Sequence, residues 1–202
     1  LLASIVVFGG WFAADWQLRQ AEAAANWHEQ TQVLILDAGH GGEDGGAVAP
    51  DGTVEADINL QIALRARAIA ELTGGRVVMT RESAQITYPD DAATVAQRKK
   101  ADQHQRAELV HATDNAVLIS IHQNSLPGHP TVRGAQSFHN GKGTAETAAL
   151  SIQQALNSAV NEREKDARRM DDSIYLMKHA DCSAVLVECG FLSNPEETVL
   201  LQ

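Results

Sequence analysis

The chain is poor in cysteine and in aromatic residues. Two cysteines occur among 202 residues, and aromatic side chains make up 4% of the total. Two cysteines cannot build the disulfide framework that holds small secreted domains together. If the chain between Cys182 and Cys189 is extended, the two sulfur atoms lie too far apart to bridge, so both residues are interpreted as free thiols.

Positive charge is also scarce. The chain has 16 Lys and Arg against 26 Asp and Glu, a formal net charge of −10. This balance opposes nucleic-acid binding, which needs clustered basic residues to hold phosphates. Disorder is disfavoured because 44% of the residues are hydrophobic and 21% are charged. The length suits one folded domain.

The chain opens on an apolar run, residues 1–14, which is shorter than the roughly 20 residues that a membrane-spanning helix needs. No Met or basic residue precedes the run, so we interpret it as the remnant of a signal peptide or membrane anchor. The alternative is a buried N-terminal helix. Residues 15–31 are polar and rich in alanine, which favours a linker or a juxtamembrane helix. An exported protein that meets a membrane only through this segment is therefore expected.

From residue 32 onward, apolar strand-like runs alternate with helical patterns. The runs VLILD and AVLVE are continuous, which is typical of strands buried on both faces of a sheet. The segment DINLQIALRARAIAEL predicts a helix capped by Asp57 with a stripe of Ile58, Ile62, Ile69 and Leu72. Pro195 is expected to open the last helix. The alternation predicts a single α/β domain over residues 32–202, with a mostly parallel twisted sheet and helices on both faces.

Three predicted strands end near residues that bind metals or move protons. The first run leads to His40, the strand VLISIH ends at His122, and the last run ends at Glu188. Parallel strands share one carboxyl edge, so these side chains can converge, and Glu55 lies in the loop that leaves the same edge. Two histidines and a glutamate suit a catalytic zinc ion, which keeps a fourth position for water. Glu188 is then the unbound carboxylate that accepts a proton.

Each of these residues also has a structural explanation. A lone histidine at a strand end is more often structural, and a glutamate there can simply mark the strand's emergence into solvent. However, a carboxylate that closes a run as apolar as AVLVE is partly desolvated and needs a partner or a task. Cys189 is a candidate nucleophile, but strand alternation turns it to the opposite face, where core packing is favoured.

Other local features are weaker. The loop GHGGEDGG does not match G-x-G-x-x-G, because Asp44 stands where the third glycine is needed, so a phosphate site has no support. Glu43 and Asp44 are candidates to orient a ligand histidine. Arg81 and Arg106 either bind peptide carboxylates or form structural ion pairs, and we favour the structural role.

Four segments, DAGHGGEDGG, VEADINL, SIHQNS and VLVECGFLSNPEE, resemble the signature blocks of the zinc-dependent N-acetylmuramoyl-L-alanine amidases (amidase type 3), enzymes of bacterial cell-wall turnover. The resemblance runs from about residue 33 to 202. It implies that His40, Glu55 and His122 hold Zn²⁺ and that Glu188 is the catalytic carboxylate. Ala56 replaces a frequent Lys and Ser183 a frequent Pro, but neither position holds a ligand.

The segments QRKKADQHQR, GAQSFHNGK and SIYLMK are similar to the spore-cortex, germination-specific members of this family. The resemblance implies hydrolysis of the amide bond between N-acetylmuramic acid and L-alanine in peptidoglycan, an extracytoplasmic location, and a possible activator protein. The family usually continues past NPEE, so the C-terminal helix is expected to be truncated. Two alternatives stay open: a non-catalytic peptidoglycan-binding module, and another zinc peptidoglycan hydrolase such as a peptidase or deacetylase.

Overall fold

The structure, a computed structural model, describes residues 32–202. The predicted export segment, residues 1–14, and the predicted linker, residues 15–31, lie outside the described residues. Within the described range, no helix has both the length and the apolar character that crossing a membrane would take. Residues 33–202 form one compact unit.

The strands of the described region are β1 (Val33–Ala38), β2 (Arg76–Met79), β3 (Ala116–Asn124), β4 (Gln136–His139), β5 (Arg168–Arg169) and β6 (Ser183–Phe191). They form a single six-stranded sheet with the order β2-β1-β3-β6-β4-β5. Strands β2, β1, β3 and β6 are parallel to one another, β4 is antiparallel to β6, and β5 is parallel to β4. The predicted mostly parallel sheet is therefore confirmed.

Helices cover both faces of the sheet, as predicted, because successive strand residues point to opposite sides. The helices of the described region are α1 (Glu55–Leu72), α2 (Val95–His111), α3 (Ala145–Ala159), α4 (Tyr175–His179) and α5 (Pro195–Leu201). On one face, apolar residues of β1, β3 and β6 pack against α2 and α4. On the other face, β1 and β3 pack against α1, and β6 packs against α3.

Helix α1 ends at Leu72 as predicted, but its first residue and the burial of its last turns differ from the prediction. It begins at Glu55, and Val54 occupies the N-cap without a capping side chain, so the prediction that Asp57 caps the helix was wrong. The predicted stripe holds only at its start: Ile58 is 2% exposed, whereas Leu72 is 88% exposed. All fully buried residues of α1 lie in its first half, so its last turns pack little against the sheet. The buried first turn holds Glu55 close to the carboxyl end of β1.

The end of the described region follows the prediction. Helix α5 begins at Pro195, and the side chain of Asn194 caps it by accepting hydrogen bonds from the backbone amides of Glu196 and Glu197. Proline is favourable at the first helical position because its missing N–H group has no intrahelical partner there. Two short elements, β5 and α4, were not predicted from the sequence.

Candidate metal centre and catalytic site

The structure brings the predicted metal ligands together at the carboxyl edge of the sheet. His40 lies in the loop after β1, Glu55 is the first residue of α1, and His122 lies near the end of β3. Glu55 Oε1 is 3.2 Å from His40 Nε2 and 3.0 Å from His122 Nδ1. One donor atom from each residue lies within 4.8 Å of the other two. Two imidazole nitrogens and one carboxylate oxygen could hold a metal ion, and catalytic zinc sites in proteins use this donor set.

The surroundings of Glu55 keep its carboxylate ionised. Burial by itself raises the pKa of this carboxyl, but hydrogen bonds from His122 and His40 outweigh burial and hold the pKa well below its ordinary value. The backbone amide of Ala47 also donates a hydrogen bond to Oε2 at 2.8 Å. A carboxylate that stays charged although 4% exposed is suited to bind a cation.

His40 is oriented by one of the two carboxylates proposed for that role. Asp44 Oδ2 is 2.9 Å from His40 Nδ1 and 2.8 Å from Lys99 Nζ, so Asp44 joins the histidine to α2. Burial disfavours the charged imidazole, but hydrogen bonds to Glu55 and Asp44 outweigh burial and raise the pKa of His40. Glu43 instead forms an ion pair with Arg98. The contact with Asp44 leaves Nε2 of His40 facing Glu55.

The glycines of the loop make room for the ligand side chains. A Cβ atom on Gly39 would lie 2.3 Å from Nε2 of His122. Gly46 has a φ of +70°, and a Cβ atom there would lie 2.5 Å from Oε2 of Glu55. His40 itself has a φ of 61°, a conformation that is uncommon for residues other than glycine. The glycine-rich sequence therefore serves close approach of the loop to the histidine and carboxylate.

Glu188 lies beside this cluster. It pairs with His122 in the register of β3 and β6, and its Oε2 atom is buried without a hydrogen-bond partner among the described residues. Burial raises the pKa of Glu188 to about 7; the nearby histidines His122 and His40 act in the opposite direction, and Glu55 adds to the rise. A carboxyl in such a setting can hold or release a proton near neutral pH.

Both arginines have the structural role that we favoured. Arg106 is 6% exposed, and its guanidinium lies 2.7 Å from Asp37 and donates to the backbone oxygens of Ala38 and His40. Arg81 donates to backbone oxygens of the same loop and of the first turn of α1. These bonds hold the two segments that carry His40 and Glu55 in one arrangement.

A cleft of about 360 Å³ lies over the cluster. Glu188 and the three predicted ligands line it, together with Lys99 and Gln103 of α2 and the segment 173–176 at the start of α4. Its volume is within the range of ligand pockets in proteins, about 300–1,000 Å³. The cleft therefore provides a binding site next to the reactive side chains.

Cys189 does not join this site. It contacts the apolar clusters that β6 and β3 form with α1 and α3, on the face opposite to Glu188. Burial raises the pKa of its thiol to about 12, so the reactive thiolate is not available at neutral pH. Cys182 and Cys189 are both free thiols. The preference for core packing over a nucleophilic role is confirmed.

The comparisons with known proteins decide the family. The sequence profile of the N-acetylmuramoyl-L-alanine amidases matches residues 34–202. The chain belongs to this family. It is therefore a hydrolase of peptidoglycan amide bonds, as the resemblance of its four sequence blocks implied, and the non-catalytic and peptidase or deacetylase alternatives lose their support.

This amidase is similar to one curated relative and to two solved structures. The germination-specific N-acetylmuramoyl-L-alanine amidase of Bacillus subtilis is 39% identical over 171 residues, which are 84% of this chain and 71% of the relative. The structure of the CwlD amidase from Clostridioides difficile, in complex with the GerS lipoprotein, has a TM-score of 0.79 and 36% identity, covering 85% of this chain and 88% of that one. The catalytic domain of CwlV from Bacillus (Paenibacillus) polymyxa has a TM-score of 0.65 and 28% identity, covering 85% and 87%.

Sequence reasoning missed the polar groups beneath the amidase site. Asp37 is 2% exposed and accepts hydrogen bonds from Ser120, Thr80 and Arg106. The sequence feature that could have indicated this buried aspartate is its position at the end of the apolar run VLILD. Burial raises the pKa of Asp37, but the charge of Arg106 and the hydrogen bonds from Ser120 and Thr80 together hold the pKa below its ordinary value. The ion pair ties β1 to α2 directly below the loop of His40.

Proposed function

We propose that this amidase holds a zinc ion with His40, Glu55 and His122 and uses Glu188 to carry the proton during hydrolysis. The observation that carries the proposal is the cluster of three donor atoms within 4.8 Å, with Glu188 paired to His122 in the sheet. Zinc supplies Lewis acidity at such a site, lowering the pKa of water to about 7 and polarising a carbonyl group. The bond cleaved joins the lactyl carbonyl of N-acetylmuramic acid to the nitrogen of L-alanine.

The chain's own residues supply the proton transfer. Glu188 accepts a proton from the attacking water, whose oxygen forms a bond to the carbonyl carbon. The same carboxyl then donates that proton to the nitrogen of L-alanine as the carbon–nitrogen bond breaks. Two observations support this role: the Oε2 atom of Glu188 has no hydrogen-bond partner among the described residues, and Glu188 lines the cleft beside the proposed ligands.

We further propose that the substrate is spore-cortex peptidoglycan, hydrolysed outside the cytoplasm, and that a partner protein activates the enzyme. Support for the cortex comes from the 39% identity to an amidase described as germination-specific. Support for a partner comes from the C. difficile amidase, which was solved in complex with a lipoprotein. Parallel digestion of purified cortex and vegetative peptidoglycan tests the first point, and equal or faster release of stem peptides from the vegetative material would contradict it.

Glu188→Gln tests the catalytic assignment. We expect zinc content close to that of the wild type and a turnover lower by about 10²–10⁴-fold, because general acid–base catalysis typically contributes that factor. Glu146→Gln, an exposed position in the first turn of α3, is the matched control and should leave both quantities unchanged. Near-normal turnover in Glu188→Gln would show that another group moves the proton.

The products identify the bond that is cleaved. An amidase releases intact stem peptides from sacculi, whereas a deacetylase lowers the glycan mass by one acetyl group and a peptidase shortens the peptides. Mass spectrometry of the soluble fraction and of the glycan therefore distinguishes the three reactions. Products with the acetyl loss or with truncated peptides alone would refute the proposed reaction.

A further inference from the structure

We propose that Asn59 is a positioning residue of the metal centre: together with Gln123 it forms a buried amide pair that fixes the Glu55 carboxylate in its ligand orientation. The proposal rests on the zinc site of the proposed function. Both residues fall in the motifs VEADINL and SIHQNS, whose Glu55 and His122 have assigned roles while the two amides have none.

Burial singles out the pair. Asn59 is 0% exposed and Gln123 is 4% exposed, in a region where α1 packs on the sheet. A buried amide group that lacks hydrogen bonds costs about 1–3 kcal/mol, so polar side chains there need specific partners. The Nδ2 atom of Asn59 donates to Glu55 Oε1 at 3.3 Å and to the backbone oxygen of Gly39 at 3.1 Å. Its Oδ1 atom accepts from Nε2 of Gln123 at 3.1 Å.

These three bonds reach every segment that carries a predicted ligand. Gly39 directly precedes His40, Glu55 lies one helical turn before Asn59 on α1, and Gln123 directly follows His122. Asn59 is therefore the point at which the loop after β1, the start of α1 and the end of β3 are joined. An apolar side chain of the same size could fill the space but could not make these bonds.

The donors around Glu55 explain why one oxygen is presented to the histidines. Oε2 accepts from the backbone amide of Ala47, whereas Oε1 accepts from the backbone amide of Gln123 at 3.1 Å and from Asn59. Oε1 is also the atom nearest to His40 and His122. Without the amide of Asn59, the carboxylate of Glu55 rotates more freely. Residues that hydrogen-bond to metal ligands typically contribute about 10–100-fold to metal affinity.

Asn59→Leu tests the role through zinc affinity, measured by competition with a chelator on folded protein, and through the thermal midpoint of the metal-free protein. We expect zinc binding weaker by about 10–100-fold. Gln153→Leu is the matched control, because Gln153 is 3% exposed and bonds to Ser137 and Ala135, away from the ligands. It should lower the thermal midpoint and leave zinc affinity at the wild-type value.

Gln123→Met provides a second variant in case Asn59→Leu does not fold. It removes the side-chain donor to Asn59 and keeps the backbone donor to Glu55, so a smaller loss of zinc affinity is expected. Wild-type zinc affinity in the folded Asn59→Leu protein, or in Gln123→Met if only that variant folds, would overturn the positioning role. A wild-type protein that binds zinc but cleaves nothing would instead overturn the proposed function and leave this role standing.

Discussion

Replacement of Gly46 by alanine should weaken the proposed binding of zinc, because the added methyl group would contact Glu55, one of the proposed ligands. The added Cβ atom would lie 2.5 Å from Oε2 of Glu55, whereas ordinary van der Waals contact begins near 3.4 Å, so the carboxylate must move by roughly 0.9 Å. Zinc–ligand distances tolerate about 0.2 Å. Glu55 cannot yield easily, because the backbone amides of Ala47 and Gln123 hold its two oxygens. We expect zinc affinity to fall at least about 10–100-fold, the effect typical of disturbing a ligand's hydrogen-bonded surroundings.

Gly52→Ala separates this effect from backbone strain. Gly52 has a φ of +93°, yet a Cβ atom there meets nothing within 4 Å. Both variants carry the cost of a left-handed conformation, roughly 1–2 kcal/mol, which lowers the thermal midpoint by several degrees. Only Gly46→Ala should lose zinc in chelator competition and lose amidase turnover. Equal zinc affinity in the two variants would refute the argument that the glycine makes room for Glu55.

Three further variants test the remaining parts of the site. His122→Ala should lose metal and turnover together, measured by elemental content and sacculus digestion, and full zinc retention would contradict its role as a ligand. Asp37→Ala should reduce the free energy of unfolding measured in urea by about 1.5–3 kcal/mol, because buried Arg106 loses one of its two carboxylate partners and keeps only Asp102; a change below about 1 kcal/mol would argue against a buried ion pair. Cys189→Ala should keep amidase turnover, since its thiol lies on the opposite face, and loss of activity in a folded protein would reopen the nucleophile hypothesis.

The predictions that failed concern features set by contacts between distant segments. Helical periodicity placed Ile69 and Leu72 on the buried stripe of α1, but both side chains are largely exposed, because the last turns of this helix pack little against the sheet. The preference of aspartate for the N-cap placed the start of α1 just after Asp57. The helix begins about one turn earlier, at Glu55, whose buried side chain lies beside His122. Local patterns carry no information about which turns of a helix the rest of the fold covers.

The amino-acid sequence determined the strand runs, the mostly parallel sheet and the convergence of His40, Glu55, His122 and Glu188, because apolar periodicity and strand direction are local properties that place strand ends at one edge. Tertiary structure alone decided that Asp44 and not Glu43 contacts His40, that two loop glycines make space for the side chains of His122 and Glu55, and that Asn59 joins three segments. Each of these depends on distances between side chains that are far apart in the chain, and such distances are set only when the helices pack on the sheet.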